Sequence, residues 1–250
     1  MINTVINNTS QFSPISLNKM DGVKLMNRSD TKFTFSASKL SGLLEELMPF
    51  YNVLEIDGKR LHAYKSLYFD TNDRKFYNDH HNRRVNRHKI RYREYVDSGL
   101  VFLEVKCKTK KGKTIKKRLK VDKIPANLSN DHQSYVDKIM GYSLSVMPKQ
   151  WINFNRMTLV HKKRKERLTI DVNLNYNDGI TNGNLSKVVI AEVKQERMSR
   201  LSDFIRIAKD LKIYPMRLSK YCFTTMQIDN TIKKNRFKEK QIFINKIINE

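Results

Sequence analysis

Three consecutive strand-like segments between residues 87 and 120 carry a cationic side chain at every second position. Side chains two residues apart in a β-strand point to the same face of the sheet. The alternation therefore predicts a sheet whose positive charges collect on one face, which is typical of a surface that binds a polyanion. The repeating cations are Lys89, Arg91 and Arg93, then Lys106 and Lys108, then Lys116, Arg118 and Lys120.

The overall charge agrees with an anionic partner but does not specify it. The 250 residues include 49 Lys and Arg against 25 Asp and Glu, a net charge of +24, and the 39% hydrophobic content is sufficient for a packed core. No apolar run approaches the roughly 18 residues that span a bilayer, and the N-terminus lacks a signal-peptide pattern, which together predict a cytoplasmic protein. Cys107 and Cys222 have no disulfide-framework or metal-site spacing.

The pattern along the chain predicts one α+β domain over residues 26–225. Residues 1–25 show no sustained period and are interpreted as a flexible lead-in. A Lys111–Lys113 turn joins two of the basic strands. Residues 226–250 form a basic amphipathic tail that we expect to pack back on the domain, with docking to a membrane surface or a protein as the alternative.

Carboxylates interrupt the cationic rows at Glu104, Asp171 and Glu192. An open sheet would leave all these charges in water, whereas a closed barrel would line its interior with Arg and Lys, which only water or an anion could fill. Acids beside phosphates do not help a nucleic-acid surface, but a metal-chelated phosphate needs hard oxygen ligands. We therefore expect an antiparallel β-barrel of about eight strands with flanking helices, and no specific nucleic-acid partner.

Seven motifs in order resemble the VTC domain, the polyphosphate polymerase module of the triphosphate tunnel metalloenzyme superfamily. The resemblance runs from about residue 27 to 223, nearly the whole predicted domain. It implies a basic tunnel that binds ATP and inorganic polyphosphate and uses Mn²⁺ or Mg²⁺ to transfer the γ-phosphate to the growing chain. The motifs are Arg28–Phe33, Ser66–Asp70, Lys89–Tyr95, Leu103–Lys106, Lys116–Arg118, Ala191–Lys194 and Ser219–Tyr221.

The resemblance also implies roles for individual residues. Glu192 resembles the metal ligand, with Glu104 and Asp171 as further candidates, and His80 stands where eukaryotic members have an arginine. The implied catalytic cations are Arg91, Arg93, Lys106, Lys116, Arg118, Arg156 and Arg167. The implied further phosphate-binding residues are Lys32, His80, Lys194, Arg217, Ser219 and Lys220.

The residues leave several alternatives open. Glu104 and Asp171 fit metal binding and ion pairing about equally, because a buried cation often needs a carboxylate partner. Asp70 is interpreted as a hydrogen-bonding residue at a strand end. The same basic face would also serve two other classes of protein besides a polyphosphate polymerase. One is a metal-dependent triphosphatase or another nucleotide-processing tunnel enzyme, and the other is a non-enzymatic polyanion binder.

Overall fold

The computed structural model describes residues 2–23, 29–110, 114–196, 199 and 201–249. Arg28 and the predicted Lys111–Lys113 turn lie outside these ranges. The described strands are β1 (Pro14–Ile15), β2 (Ser29–Ser36), β3 (Tyr51–Leu54), β4 (His62–Asp70), β5 (Arg87–Tyr95), β6 (Leu100–Lys108), β7 (Thr114–Val121), β8 (Met147–His161), β9 (Glu166–Asn177), β10 (Asn182–Leu185) and β11 (Val188–Gln195). The described helices are α1 (Ile2–Ser10), α2 (Leu40–Leu47), α3 (Lys75–His81), α4 (Asn130–Met140), α5 (Asp203–Asp210), α6 (Lys220–Ile228) and α7 (Lys238–Asn249).

One sheet contains all of these strands. Its main path runs β2-β11-β9-β8-β4-β5-β6-β7, with every neighbouring pair antiparallel. The short strands β1, β3 and β10 attach to this path at its sides. The α+β class, the antiparallel arrangement and the eight-strand estimate are therefore confirmed, although the path ends at β2 and β7 and the sheet does not close into a complete barrel.

The sheet curls strongly enough to bring distant strands together. In a flat sheet, the five steps from β2 to β5 would separate these strands by about 24 Å. Yet the pKa of Lys89 on β5 is lowered by burial and, among nearby charges, by Lys32 on β2. The segment before α6 spans the same gap, because Met216 N donates to Lys32 O at 2.8 Å and Ser219 Oγ accepts from Lys89 Nζ at 2.8 Å. The inner face is therefore a tunnel-like groove.

The outer face of the curled sheet carries most of the hydrophobic core. Leu168, Ile170 and Val172 alternate along β9, and all three are buried. They pack with the leucines of α2 and with Phe204 of α5 in one cluster. A second cluster lies beneath α4 at the other end of the sheet. Two helical layers therefore cover the outer face and leave the inner face for charged side chains.

The N-terminal segment is packed on this core, which differs from the predicted flexible lead-in. Val5 and Thr9, four residues apart on α1, are buried, as is Phe12. Asn8 Nδ2 donates to Ser41 Oγ on α2 at 2.8 Å. The buried face of α1 is a single short stripe, and its period is too weak to predict a helix from the sequence. The helix is stabilised by packing on α2. The domain boundaries at residues 25 and 225 stay predictions.

The C-terminal helices cover one end of the groove. Tyr221 and Cys222 of α6 pack in one cluster with Ile244 and Ile247 of α7, which confirms that the tail packs back on the domain. No described helix is long and apolar enough to cross a membrane. The cytoplasmic location and the docking of the tail on a membrane surface stay predictions.

Candidate functional site

The register of the sheet lines up the predicted site residues on its inner face. Arg156 on β8 lies opposite Asp171 on β9, and Arg91 on β5 lies opposite Glu104 on β6. Lys106 faces both Lys89 and Lys116 across neighbouring ladders, without an intervening acid. The groove thus brings together side chains that are far apart in sequence, such as Lys89 and Ser219, which are 130 residues apart.

Glu104 is at the centre of the first charged cluster. Its side chain has no exposed area, and its Oε2 accepts from Arg91 Nε at 2.9 Å and Nη2 at 2.7 Å. Lys116 contacts the other carboxylate oxygen. Burial opposes ionisation, but the cations Arg91, Arg93 and Lys116 hold the pKa of Glu104 well below its usual range. Glu104 is thus a buried anion that already neutralises part of the groove.

The cations around Glu104 outnumber it. The pKa of Lys106 is lowered well below its usual value, first by the charge of Arg91 and then by burial. Burial and the Arg91 charge likewise lower the pKa of Arg93 to about 10. Among the described residues, Lys106 has no ion pair, and Arg93 has one polar contact, to Ser66 Oγ at 3.2 Å. Cations forced together in this way create a strong attraction for an anion.

A second cluster surrounds Asp171. Arg156 binds it through two hydrogen bonds, Nε to Oδ1 at 2.6 Å and Nη2 to Oδ2 at 2.8 Å. Lys220 from α6 contacts the same Oδ2. Burial opposes ionisation of Asp171, but Arg156 and Lys220 lower its pKa well below the usual range. Both carboxylate oxygens are therefore occupied by cations, and ion pairing is the role that these contacts favour.

Aromatic rings support the guanidinium groups between the two clusters. Tyr64 and Phe154 stack with their centroids 5.2 Å apart. Arg93 lies over these rings at 5.3 and 5.4 Å, and Arg156 lies over them at 5.2 and 5.3 Å. Lys220 Nζ is 4.4 Å from the centroid of Phe154. Such contacts stabilise buried cations without neutralising them, because the rings carry no net charge.

Glu192 is the most accessible carboxylate of the three. Its side chain is 19% exposed, against 0% for Glu104 and 5% for Asp171. Glu192 Oε2 lies 2.6 Å from Lys194 Nζ, and Oε1 lies 3.8 Å from Lys32 Nζ. Burial opposes its ionisation, but Lys32 and Lys194 keep its pKa well below the usual range. This ionised carboxylate has an oxygen with only a distant cation partner.

The start of α6 closes the inner end of the groove. Ser219 caps the helix by accepting from Cys222 N, and it also accepts from Lys89 Nζ. Burial lowers the pKa of Lys220 to about 8, despite the opposing attraction of Asp171. The positive end of a helix dipole and a lysine thus face the groove together.

The remaining predicted residues lie nearer the edges of the groove. Arg118 on the edge strand β7 lies 4.8 Å over the ring of Phe102. Arg167 is opposite Lys194 in the β9–β11 ladder. Arg217 and His80 line a recess together with Ser219. The predicted set therefore divides into a central groove, a metal-ligand candidate and a peripheral recess.

Tyr68 was missing from the predicted site. It accepts from Arg91 Nη1 at 2.6 Å, and it stacks on Tyr221 of α6 at 5.3 Å. The two-residue spacing could have indicated it, since Tyr68 is two positions from Ser66. Lys89, which belongs to the predicted cationic row but was given no individual role, binds Ser219.

A comparison of the sequence with models of protein families shows the family of this chain. The model of the VTC domain matches residues 27–228. The chain belongs to the VTC domain family. The match includes every strand of the main path, and it ends at the last residue of α6.

Solved structures from two organisms are similar to this VTC domain. A candidate adenylyl cyclase from Hippeastrum, HpAC1, described as having a dominant triphosphatase activity, is similar at 16% identity with a TM-score of 0.52, covering 78% of this chain and 93% of that chain. A conserved hypothetical protein from Pyrococcus furiosus gives 15% identity and a TM-score of 0.43, covering 78% and 99%. No curated protein sequence matches significantly. The likeness to the Hippeastrum protein supports the tunnel-like fold.

The VTC domain fits a divalent cation through Glu192. Among the described residues no group of three or more His, Cys, Asp and Glu side chains lies together as a metal site. Mg²⁺ commonly binds through one or two carboxylates together with substrate phosphates and water. A single ionised, partly exposed glutamate beside the cations Lys32 and Lys194 fits that mode, whereas Glu104 and Asp171 are occupied by their ion pairs.

Proposed function

We propose that this VTC domain transfers the γ-phosphoryl group of ATP to the end of an inorganic polyphosphate chain. The observation that carries the proposal is the crowding of Arg91, Arg93 and Lys106 in a buried groove around a single carboxylate, where the charge of Arg91 helps to lower the pKa of the other two cations. This electrostatic cost is relieved when a highly charged linear anion enters. A triphosphate or polyphosphate has the charge and the shape that the groove requires.

The chemistry demands positioning more than covalent participation. A terminal oxygen of polyphosphate attacks the γ-phosphorus of ATP, the bond from γ-phosphorus to the β,γ-bridging oxygen breaks, and ADP leaves. Arg91 and Arg156 offer planar pairs of N–H donors to phosphate oxygens, and Lys106 and Lys116 offer point charges. The acceptor is already ionised near neutral pH, so no general base is needed.

Glu192 is the residue that we propose to hold the divalent cation. When bound, such a cation neutralises phosphate charge and orients the leaving diphosphate. Lys32 and Lys194 keep Glu192 ionised and ready to act as a ligand. Measuring turnover with Mn²⁺ and with Mg²⁺ separately shows which of the two cations the protein uses.

The test is incubation of the purified protein with ATP, Mn²⁺ or Mg²⁺ and a short polyphosphate primer. We expect long polyphosphate on a stained gel, with ADP formed in proportion to the phosphate incorporated. Arg91→Ala should reduce the rate by about 100-fold, the effect of a lost electrostatic donor. The exposed Arg84→Ala, at the same net charge, is the matched control.

Triphosphate hydrolysis is the second candidate, favoured by the activity described for the structurally similar Hippeastrum protein. In that reaction water replaces the polyphosphate oxygen as the nucleophile, and free phosphate is released. Free phosphate without chain growth, with or without primer, would replace the polymerase proposal by this one. Binding of polyphosphate without turnover in either metal would instead indicate a polyanion-binding protein.

A further inference from the structure

Helix α7 carries large apolar side chains on two of its faces. Ile244 and Ile247 are buried against the domain. Ile242 and Phe243 lie on the other side of the helix and are 60% and 41% exposed. Packing on the domain therefore accounts for one apolar face of α7 and leaves the other in water.

Lysines flank the exposed apolar side chains along the helix. Lys238 and Lys246 come four residues before and four residues after Ile242, and side chains at this spacing are neighbours on a helix. Both lysines are exposed. Glu239 is the only acidic residue of Lys238–Asn249. The outer face of α7 thus combines apolar side chains with a positive charge that is only partly offset.

The loop between α3 and β5 adds to this surface. Arg236 Nη1, just before α7, donates to Asn82 O in the loop at 3.2 Å. Burial and then the charge of the exposed Arg83 lower the pKa of Lys240 on α7, which also places the loop close to the helix. Val85 in the same loop is 56% exposed. A second segment therefore presents a cation and an apolar side chain beside α7.

Contacts at both ends hold the C-terminal segment in place. Tyr77 Oη on α3 donates to Lys233 O at 2.7 Å, ahead of the helix. Lys187 Nζ donates to Ile248 O in the last turn of α7 at 2.8 Å. The surface is therefore formed before any partner binds, so binding does not have to order the helix.

The mixture of side chains distinguishes between classes of anionic partner. A phosphate chain or a nucleic acid would bind the cations but would gain nothing from Ile242, Phe243 and Val85. An anionic bilayer offers charged headgroups to the cations and, a few ångströms deeper, an acyl region to the apolar side chains. The chemistry of this surface therefore fits a lipid membrane better than a soluble polyanion.

We propose that this surface docks the protein on an anionic lipid bilayer, with Ile242 and Phe243 inserted among the headgroups. Helix α7 lies beyond the residues that the family model matches, so the surface is separate from the groove. The proposal does not depend on the reaction that the groove carries out. The surface consists of Arg83, Val85, Lys238, Ile242, Phe243 and Lys246.

The test is sedimentation of the full chain with vesicles of phosphatidylcholine and phosphatidylserine, and with vesicles of phosphatidylcholine alone. The net charge of +24 attracts the protein to any anionic surface, so variants of equal charge are compared. Lys238→Gln combined with Lys246→Gln should weaken binding to the anionic vesicles about fivefold for each lost charge. Lys163→Gln combined with Lys165→Gln, at exposed positions after β8, should change it by less than about twofold.

A second pair of variants tests insertion apart from charge. Ile242→Gln combined with Phe243→Gln should weaken binding on the order of tenfold, because the apolar contact with the bilayer is lost. Ile180→Gln removes a side chain that is 94% exposed at the β9–β10 turn, and it should have no effect. Phe243→Trp should give tryptophan emission that shifts to shorter wavelength on the anionic vesicles, whereas Ile180→Trp should not.

Three results would overturn the proposal. They are equal effects of the surface variants and their controls, an unshifted emission of the Phe243→Trp variant, and no binding of the unmodified protein to anionic vesicles. The last result would instead indicate an acidic protein as the partner of this surface. Thermal melting of each variant verifies that it is folded.

Discussion

Replacing Glu104 by Gln tests the electrostatic design of the groove. The substitution keeps the size of the side chain but removes the negative charge that Arg91 and Lys116 contact. The Glu104 side chain has no exposed area. Removing one partner of a buried ion pair costs about 3–5 kcal/mol. For a chain of this size, each kcal/mol corresponds to about 2–4 °C in Tm, so we expect Tm to fall by roughly 6–20 °C.

Anion binding should change in the opposite direction. In the variant, tripolyphosphate meets the same cations without a competing carboxylate, and we expect its affinity to rise on the order of tenfold. At saturating ligand this adds about 1.4 kcal/mol of stabilisation, or about 3–6 °C to the shift in Tm. Thermal melting with and without tripolyphosphate, in EDTA, measures both effects.

Glu46→Gln is the control, since it makes the same chemical change at an exposed position on α2. Its effect should stay within about 0.5 kcal/mol. The ion-pair role would be refuted if the Glu104→Gln variant had the same Tm as the unmodified protein. It would also be refuted if tripolyphosphate raised the Tm of the variant no more than it raises the Tm of the unmodified protein. If Glu104 acts chiefly as a metal ligand, the variant should instead lose affinity only when the metal is present.

Three further substitutions probe the other parts of the site. Glu192→Gln should reduce metal-dependent turnover by about 100-fold without weakening metal-free tripolyphosphate binding. Glu196→Gln, at an exposed position, is the control and should change neither turnover nor binding. Full activity of the Glu192→Gln variant would show that Glu192 is not the metal ligand. Because burial lowers the pKa of Lys220 to about 8, tripolyphosphate affinity should fall between about pH 7 and pH 9. The unfolded chain holds its proton up to about pH 10.4, so the stability of the ligand-free fold should rise with pH from about pH 7 up to that value. Because burial also lowers the pKa of Lys194 to about 8, Lys220→Arg should weaken both trends, and an unchanged profile in calorimetric titrations would contradict this. Asp70→Asn should destabilise the fold by about 1–3 kcal/mol, measured by urea denaturation, because both carboxylate oxygens accept hydrogen bonds. Oδ1 accepts from Thr71 N and Phe76 N, and Oδ2 accepts from Tyr77 N and from Tyr221 Oη on α6. An unaltered denaturation midpoint would argue that Asp70 does not anchor α6.

The periodic elements were predictable because they depend on local geometry. The three strand-like segments predicted between residues 87 and 120 are β5, β6 and β7, and their cations at every second position share a face. Helix α6 was not predictable in this way. Its aromatic residues and threonines have modest helix propensity, and every residue from Tyr221 to Met226 is buried, so that packing on several sides decides its conformation.

Which residue types share a face follows from the amino-acid sequence, because the two-residue period of a strand is fixed by its backbone. A basic face backed by an apolar one was therefore predictable. The partners of the side chains on that face depend on how the chain folds in three dimensions: Lys89 binds Ser219, 130 residues away, and Tyr221 binds Asp70, 151 residues away. Whether a carboxylate is used up in ion pairs, like Glu104, or kept accessible, like Glu192, depends on the curl of the sheet and on burial, which no local period encodes.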